Sequence, residues 1–217
     1  MENKQIMDIV QNRCAIKDFD KSRRISDDDF NMLLKVAQCS PSAFGLEPWR
    51  IIVLQNADIR EKLKLLATGA QRQLGTCSHF VVFTVVTALE AHSDYIKHIS
   101  MSVKGMDDIA YNEFVSKFKN FQEQRKDLTD SRKRIDWACK QAYIAMTNMM
   151  MAAAIKKIDS CPIEGFSSGE VDEFLSNCGI IKKGSECVAV MLALGYKSEK
   201  ISSKKNRRSL CEIVKYI

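Results

Sequence analysis

The chain has 217 residues, of which 46% are apolar and 28% charged, with a formal net charge of +6. That composition suits a soluble globular protein with one core and excludes a disordered or collagen-like chain. No apolar run reaches the roughly 18 residues of a membrane span, and 3 Pro with 9 Gly leave little for long linkers.

Residues 3–13 read as a short helix with Ile6, Ile9 and Val10 on one face. Ser26 followed by Asp27, Asp28 and Asp29 is a helix start, with acids where the dipole favours them. That helix turns Phe30, Leu33, Leu34, Val36 and Ala37 to a core and stops before Pro41. Residues 48–54 read as a strand led by proline, and 57–67 as a helix. The run 79–89, rich in β-branched and aromatic residues, reads as a buried strand. Residues 90–134 are the most polar stretch, an excursion from the core and a candidate lid. Within it Phe114, Phe118 and Phe121 are spaced as on an amphipathic helix. Residues 137–158 form a long helix, apolar on nearly every side from Ala142 to Ile155. Such a helix is buried all round, by its own core or by a second subunit. A short helix over 167–178, a buried strand over 186–196 and a basic, mostly irregular tail complete the order. The pattern is α+β in a single domain spanning 1–217.

The eight cysteines show no C-x-x-C pair and no zinc spacing with the three histidines. They read as free thiols of a reduced chain, so a cytoplasmic location is expected. The first eight residues carry charge and no apolar stretch, so no leader is expected. The net positive charge is compatible with nucleic acid, an anionic membrane, a phosphorylated ligand or simple mild basicity.

No serine-hydrolase elbow, zinc-protease helix, phosphate loop or dinucleotide fingerprint occurs. An enzyme without such a nucleophile motif usually borrows its reactivity from a cofactor. Several segments stand out instead. Arg13 and Lys17 form an R-x-x-x-K pair after the first helix. Ser40, Pro41 and Ser42 open a small-residue loop that closes on Pro48-Trp49. Ser78-His79 begins a strand, and Trp137, Lys140, Gln141 and Tyr143 head the long helix. Pro162-Ile163-Glu164-Gly165 is a further such segment, and Leu194-Gly195-Tyr196 leads to Lys205-x-Arg207. Each alone is weak. In this order and spacing, from about Ile6 to the C-terminus, they resemble the FMN-dependent nitroreductase family.

The resemblance implies a mostly antiparallel central sheet flanked by helices, with the long helix at the interface of an intertwined homodimer. It implies FMN as cofactor, NADH or NADPH as donor, and a nitroaromatic, quinone or related small electrophile as acceptor. Nucleic acid and membrane are not implied as partners. Arg13, Lys205 and Arg207 match the phosphate-binding positions, which suits cationic forks and ammonium donors. Cys14 sits beside them at a variable position, and Ala15 stands where the family usually has serine. Lys17 matches the basic residue near the ribityl chain and pyrimidine edge. Pro41, Ser42 and Ala43 match the loop that reaches the partner subunit's flavin. At the pyrimidine edge the family's asparagine is replaced by Ala70, and Gln71 or Gln73 takes over. Ile163, Glu164 and Gly165 match the turn whose backbone faces flavin N5. Phe118 or Phe121 is expected over the acceptor, against the alternative of a helix face packed on the core. A flavin-binding or redox-sensing protein of the same fold with little turnover is the alternative function.

Overall fold

The computed structural model describes residues 2–198 and 205–217. Residues 199–204, part of the expected irregular tail and including Lys204, lie outside the described residues. The strands are β1 (Trp49–Val53), β2 (His79–Val86), β3 (Asp159–Ile163) and β4 (Glu186–Gly195). They form one sheet in the order β1-β2-β4-β3, antiparallel throughout. The helices are α1 (Asn3–Asn12), α2 (Asp27–Gln38), α3 (Ala57–Leu66), α4 (Gln71–Thr76), α5 (Asp94–Lys97), α6 (Asp108–Asn120), α7 (Ser131–Ile155), α8 (Ser168–Asn177) and α9 (Leu210–Ile213). The α+β class expected from the element order is the one observed.

β2 explains why its sequence is continuously apolar. It lies between β1 and β4, and both its faces are covered. Val81, Phe83 and Val85 join a core with residues of α2 and α7, while Phe80 and Val82 join a second core with residues of α3, α4 and α8. Side chains alternate across a strand, so a sheet layered on both faces needs apolar residues at every position. α2 begins as its sequence dictates, with Ser26 Oγ accepting from the Asp29 N–H at 3.2 Å.

Two expectations need correction. α7 begins six residues before Trp137, because Asp130 accepts from the Lys133 N–H at 2.9 Å and caps it. Its first turn is polar, so apolar periodicity could not reveal it. β3 was not expected at all: it is short and contains Pro162. It lies at the sheet edge, where a missing N–H is tolerated. Among its described residues the tail is mostly irregular, as expected, with one short helix, α9. The polar stretch 90–134 also turns Ile96, Val115 and Phe118 into the same core as α2 and α7. Wide π-helical turns at His98–Val103 and Phe121–Arg125 interrupt its helices.

α7 packs Ala138, Ala142, Ala145, Met149 and Ala153 inward. On its other side Ile144 and Ile155 remain 40% and 51% exposed. No helix among the described residues is long and apolar enough to cross a membrane.

His79 opens β2, stacked on Phe30 with ring centroids 3.9 Å apart and Nδ1 3.0 Å from Ser78 Oγ. Burial first, then the neighbouring Arg24 and Arg60, lowers its pKa to about 4. The unfolded chain therefore binds a proton near pH 6.5 that the folded chain refuses until about pH 4. Stability contributed by neutral His79 is complete above that window and falls as pH drops through it, by on the order of 3 kcal/mol. Melting temperatures from pH 7 to 4 should fall more steeply for the natural chain than for His79→Gln. Parallel curves would assign the acid sensitivity to other groups.

Candidate active site

Segments far apart in sequence meet along the outer edge of β3. Ala15 bridges to Ser160 in parallel, and the Ile16 N–H donates to the Ser160 carbonyl at 3.2 Å. This carries the 13–17 segment alongside β3. At one end stand the cations. Arg13 Nη1 is buried and has no hydrogen-bond partner. Lys205 Nζ donates to the Val10 carbonyl. Its pKa is lowered by burial first and then by Arg13 and Arg207, which places the three positive charges together. Arg207 Nη1 reaches only the carbonyl of Asn206, at 2.9 Å. None of the three has a carboxylate partner among the described residues. A cation cluster with an orphaned buried donor is a site built for an anion.

Further along the edge, Cys161 Sγ lies 3.6 Å from Lys17 Nζ and 3.4 Å from Gln73 Nε2. Gln73 also donates to the Gly69 carbonyl at 3.1 Å and is almost fully buried. Gln71 is exposed at the start of α4, so Gln73 is the glutamine aimed into this edge. Ala70 is fully buried and offers no polar side chain.

The turn after β3 is held from two sides. The Gly69 N–H donates to the Gly165 carbonyl at 2.7 Å. A Cβ on Gly69 would sit 2.9 Å from Gly165 Cα, so the two backbones cross where only glycine fits. Tyr143 Oη, from α7, donates to Glu164 Oε1 at 2.5 Å. Ile163 is buried beneath, while Glu164 and Gly165 are exposed. Cys14 is half-buried against the second core.

The loop 40–48 takes a different course. Phe44 and Glu47 have φ of 57° and 47°, and Gly45 has 57°. Non-glycine residues in this region cost about 1–3 kcal/mol each and persist only when surroundings hold them. The holders are visible. The Ala43 N–H donates to Gln141 Oε1 and the Glu47 N–H to Ser42 Oγ, both at 2.9 Å. Tyr95 Oη lies 2.9 and 2.6 Å from the Leu46 and Glu47 carbonyls, and Lys104 Nζ donates to Phe44 O. Pro41 is exposed and Ser42 and Ala43 half-buried. No hydrogen bond joins this loop to the β3-edge cluster among the described residues. α7 serves both: Gln141 holds the loop and Tyr143 holds the Glu164 turn.

Phe118 is fully buried, with Phe44, Phe121 and Trp137 around it at centroid distances of 5.2–6.2 Å. Phe121 is half-buried, and the outward ring of the group is Phe44, 38% exposed. Sequence reasoning missed Ser160, Cys161 and Phe44. Ser160 Oγ is buried without a partner beside Ala15, a signal that appears only once the chain is folded.

The comparisons agree with this architecture. The model of the nitroreductase family matches residues 10–196. A Staphylococcus epidermidis protein provisionally named an NAD(P)H nitroreductase is 41% identical over 215 residues, 99% of this chain and 98% of that protein. A Bacillus subtilis crystal structure, provisionally called a nitroreductase, superposes over all of both chains with a TM-score of 0.80 at 23% identity. An Exiguobacterium sibiricum structure solved with FMN covers 98% of this chain and 97% of that one, with a TM-score of 0.77 at 19% identity. With a family model covering most of its length and a relative of this identity along nearly all of it, the chain belongs to the nitroreductase family.

Proposed function

We propose that the protein is an FMN-dependent oxidoreductase that takes electrons from NADH or NADPH and passes them to nitroaromatics, quinones or related small electrophiles. The observation that carries this reading is the buried, unpaired Arg13 Nη1 beside Lys205 and Arg207. A phosphate dianion gives all three cations a partner at once. The names of relatives, as NAD(P)H nitroreductases, point the same way.

FMN, when bound, supplies a two-electron carrier whose N5 accepts and returns hydride. The chain's own residues bind and orient. Arg13, Lys205 and Arg207 hold the phosphate, with Cys14 as packing beside them. Ser160 supplies the hydroxyl that Ala15 lacks. Lys17 and Gln73 face the pyrimidine edge, with Cys161 between them. Ile163, Glu164 and Gly165 present backbone toward N5, and Tyr143 keeps the Glu164 carboxylate in place. No side chain here is assigned a covalent role; catalysis is positioning plus electrostatic tuning.

The working form is a homodimer in the cytoplasm. Ile6, Met7 and Val10 of α1, Ile144 and Ile155 of α7, and Leu210 and Ile213 of α9 are all at least 40% exposed. A second copy covering them would bring the strained loop at Pro41, Ser42 and Ala43 to the other subunit's flavin. Phe44 and Phe121 then stand nearer the acceptor, with Phe118 supporting them from behind.

Donor and acceptor occupy the same space in turn, so the exchange has two stages. Initial rates at several donor and acceptor concentrations should give parallel double-reciprocal lines. Intersecting lines would exclude the two-stage exchange while leaving the cofactor assignment standing.

A further inference from the structure

A pocket of about 160 Å³ lies where the 21–24 segment passes the end of α4. Lys21, Arg23, Arg24 and Arg60 line it together with residues 75–78, and no acidic side chain does. Arg60 is its fixed wall, only 8% exposed. Its Nε donates to the Leu54 carbonyl at 2.7 Å, its Nη1 to the Cys77 carbonyl at 3.3 Å and its Nη2 to Gln55 Oε1. Those carbonyls explain why one arginine is here. They do not explain the other three cations. Lys21 and Arg24 have no hydrogen bond or ion pair to a side chain or backbone group among the described residues, and Arg23 lies over the Tyr196 ring, 4.0 Å from its centroid.

Two acids stand nearby, neither of them lining the pocket. Asp20 accepts from the Ser22 N–H at 2.9 Å and Ser22 Oγ at 2.6 Å, although it also feels Arg23. Asp27 stands in the first turn of α2. Burial first, with Arg24 adding to it, lowers the pKa of both Arg60 and His79. Lys21, Arg23 and Arg24 are exposed to solvent beside the buried Arg60, and a concave cluster of one charge sign draws in counterions.

We propose that this pocket is a second anion site, which takes a phosphoryl group between Lys21, Arg24 and the fixed Arg60. Guanidinium forks and an ammonium without a carboxylate are the chemistry of phosphate recognition. Lys21, Arg24 and Arg60 are not part of the Arg13–Lys205–Arg207 cluster, although Arg23 also lines the cavity that Arg13 faces. It lies one helical turn along α4 from Gln73, since Thr76 lines it. Two sources carry the same chemistry: inorganic phosphate, and the phosphorylated adenosine end of the nicotinamide donor.

The test uses protein saturated with FMN, so that the first cluster is filled. Inorganic phosphate and adenosine 2′,5′-bisphosphate are titrated by calorimetry at low and high salt, into the natural chain and into Lys21→Gln/Arg24→Gln. At least one probe should bind the natural chain, more weakly as salt rises, and the double variant should lose about tenfold or more. Arg24→Lys, which keeps the charge, should retain most of the binding. Binding of both probes would show that a phosphoryl group suffices; binding of the bisphosphate alone would assign the site to the donor's adenosine end. Failure of both probes to bind at millimolar concentration, or equal binding by the double variant, would overturn the proposal. Flavin content is read by absorbance from the same samples, so a failure of the FMN reading is seen separately.

Discussion

Arg13→Ala is expected to weaken FMN binding by at least about 30-fold, or about 2 kcal/mol, because charge-assisted hydrogen bonds to a dianion are lost. The same change should leave the melting temperature of flavin-free protein unchanged or slightly raised. Arg13 Nη1 is buried with no partner in the chain alone, so removing it relieves a desolvation penalty. A purely structural arginine would behave in the opposite way and destabilise the chain when removed. Arg13→Lys should recover part of the affinity, since it restores the charge but not the fork. Titration of FMN fluorescence, with thermal melts of the flavin-free proteins, reads both effects.

Gly69→Ala should lower stability and flavin affinity together. Its Cβ would meet Gly165 Cα at 2.9 Å and the Gly165 carbonyl oxygen at 3.1 Å. Both are backbone atoms, so the turn must move. Overpacking of this kind costs about 1–3 kcal/mol, a drop in melting temperature of about 3–10 °C at this chain length. The displaced turn carries Glu164 and Gly165, so FMN affinity should fall even where the protein remains folded. Gly165→Ala meets Gly69 Cα at 3.0 Å and should act in the same direction less strongly. Melts and FMN titrations of both variants check this, and flavin affinity unchanged in Gly69→Ala would separate the turn from the cofactor.

The elements that could be read from sequence were those whose own residues declare them. Ser26 with its three aspartates started α2, and the apolar run from His79 marked β2. The beginning of α7 was hidden because its first turn holds Arg132, Lys133 and Arg134, charged residues with no apolar period. β3 was hidden by Pro162 and by its length of five residues. In the site, Arg13, Lys17 and the Glu164 turn could be named from motif order. Their convergence could not, because it depends on the Ala15–Ser160 bridge and the Gly69–Gly165 crossing, contacts nearly a hundred residues or more apart in sequence. Gln73 and Gln71 looked equivalent until α4 turned one inward and left the other exposed. Phe118 illustrates the reverse limit. Its spacing on α6 was legible, but the packing of Phe44 on it, from a strained loop 74 residues away, was not.

The central claim is that this chain holds FMN and cycles it with a nicotinamide donor. Its most direct test is to purify the protein, saturate it with FMN, remove oxygen and add NADH or NADPH while recording the visible spectrum. Protein-bound flavin should bleach fully with one equivalent of donor, and its colour should return on adding a quinone or nitroaromatic. Flavin that stays bound and yellow with either donor would contradict it and leave a flavin-binding protein without turnover.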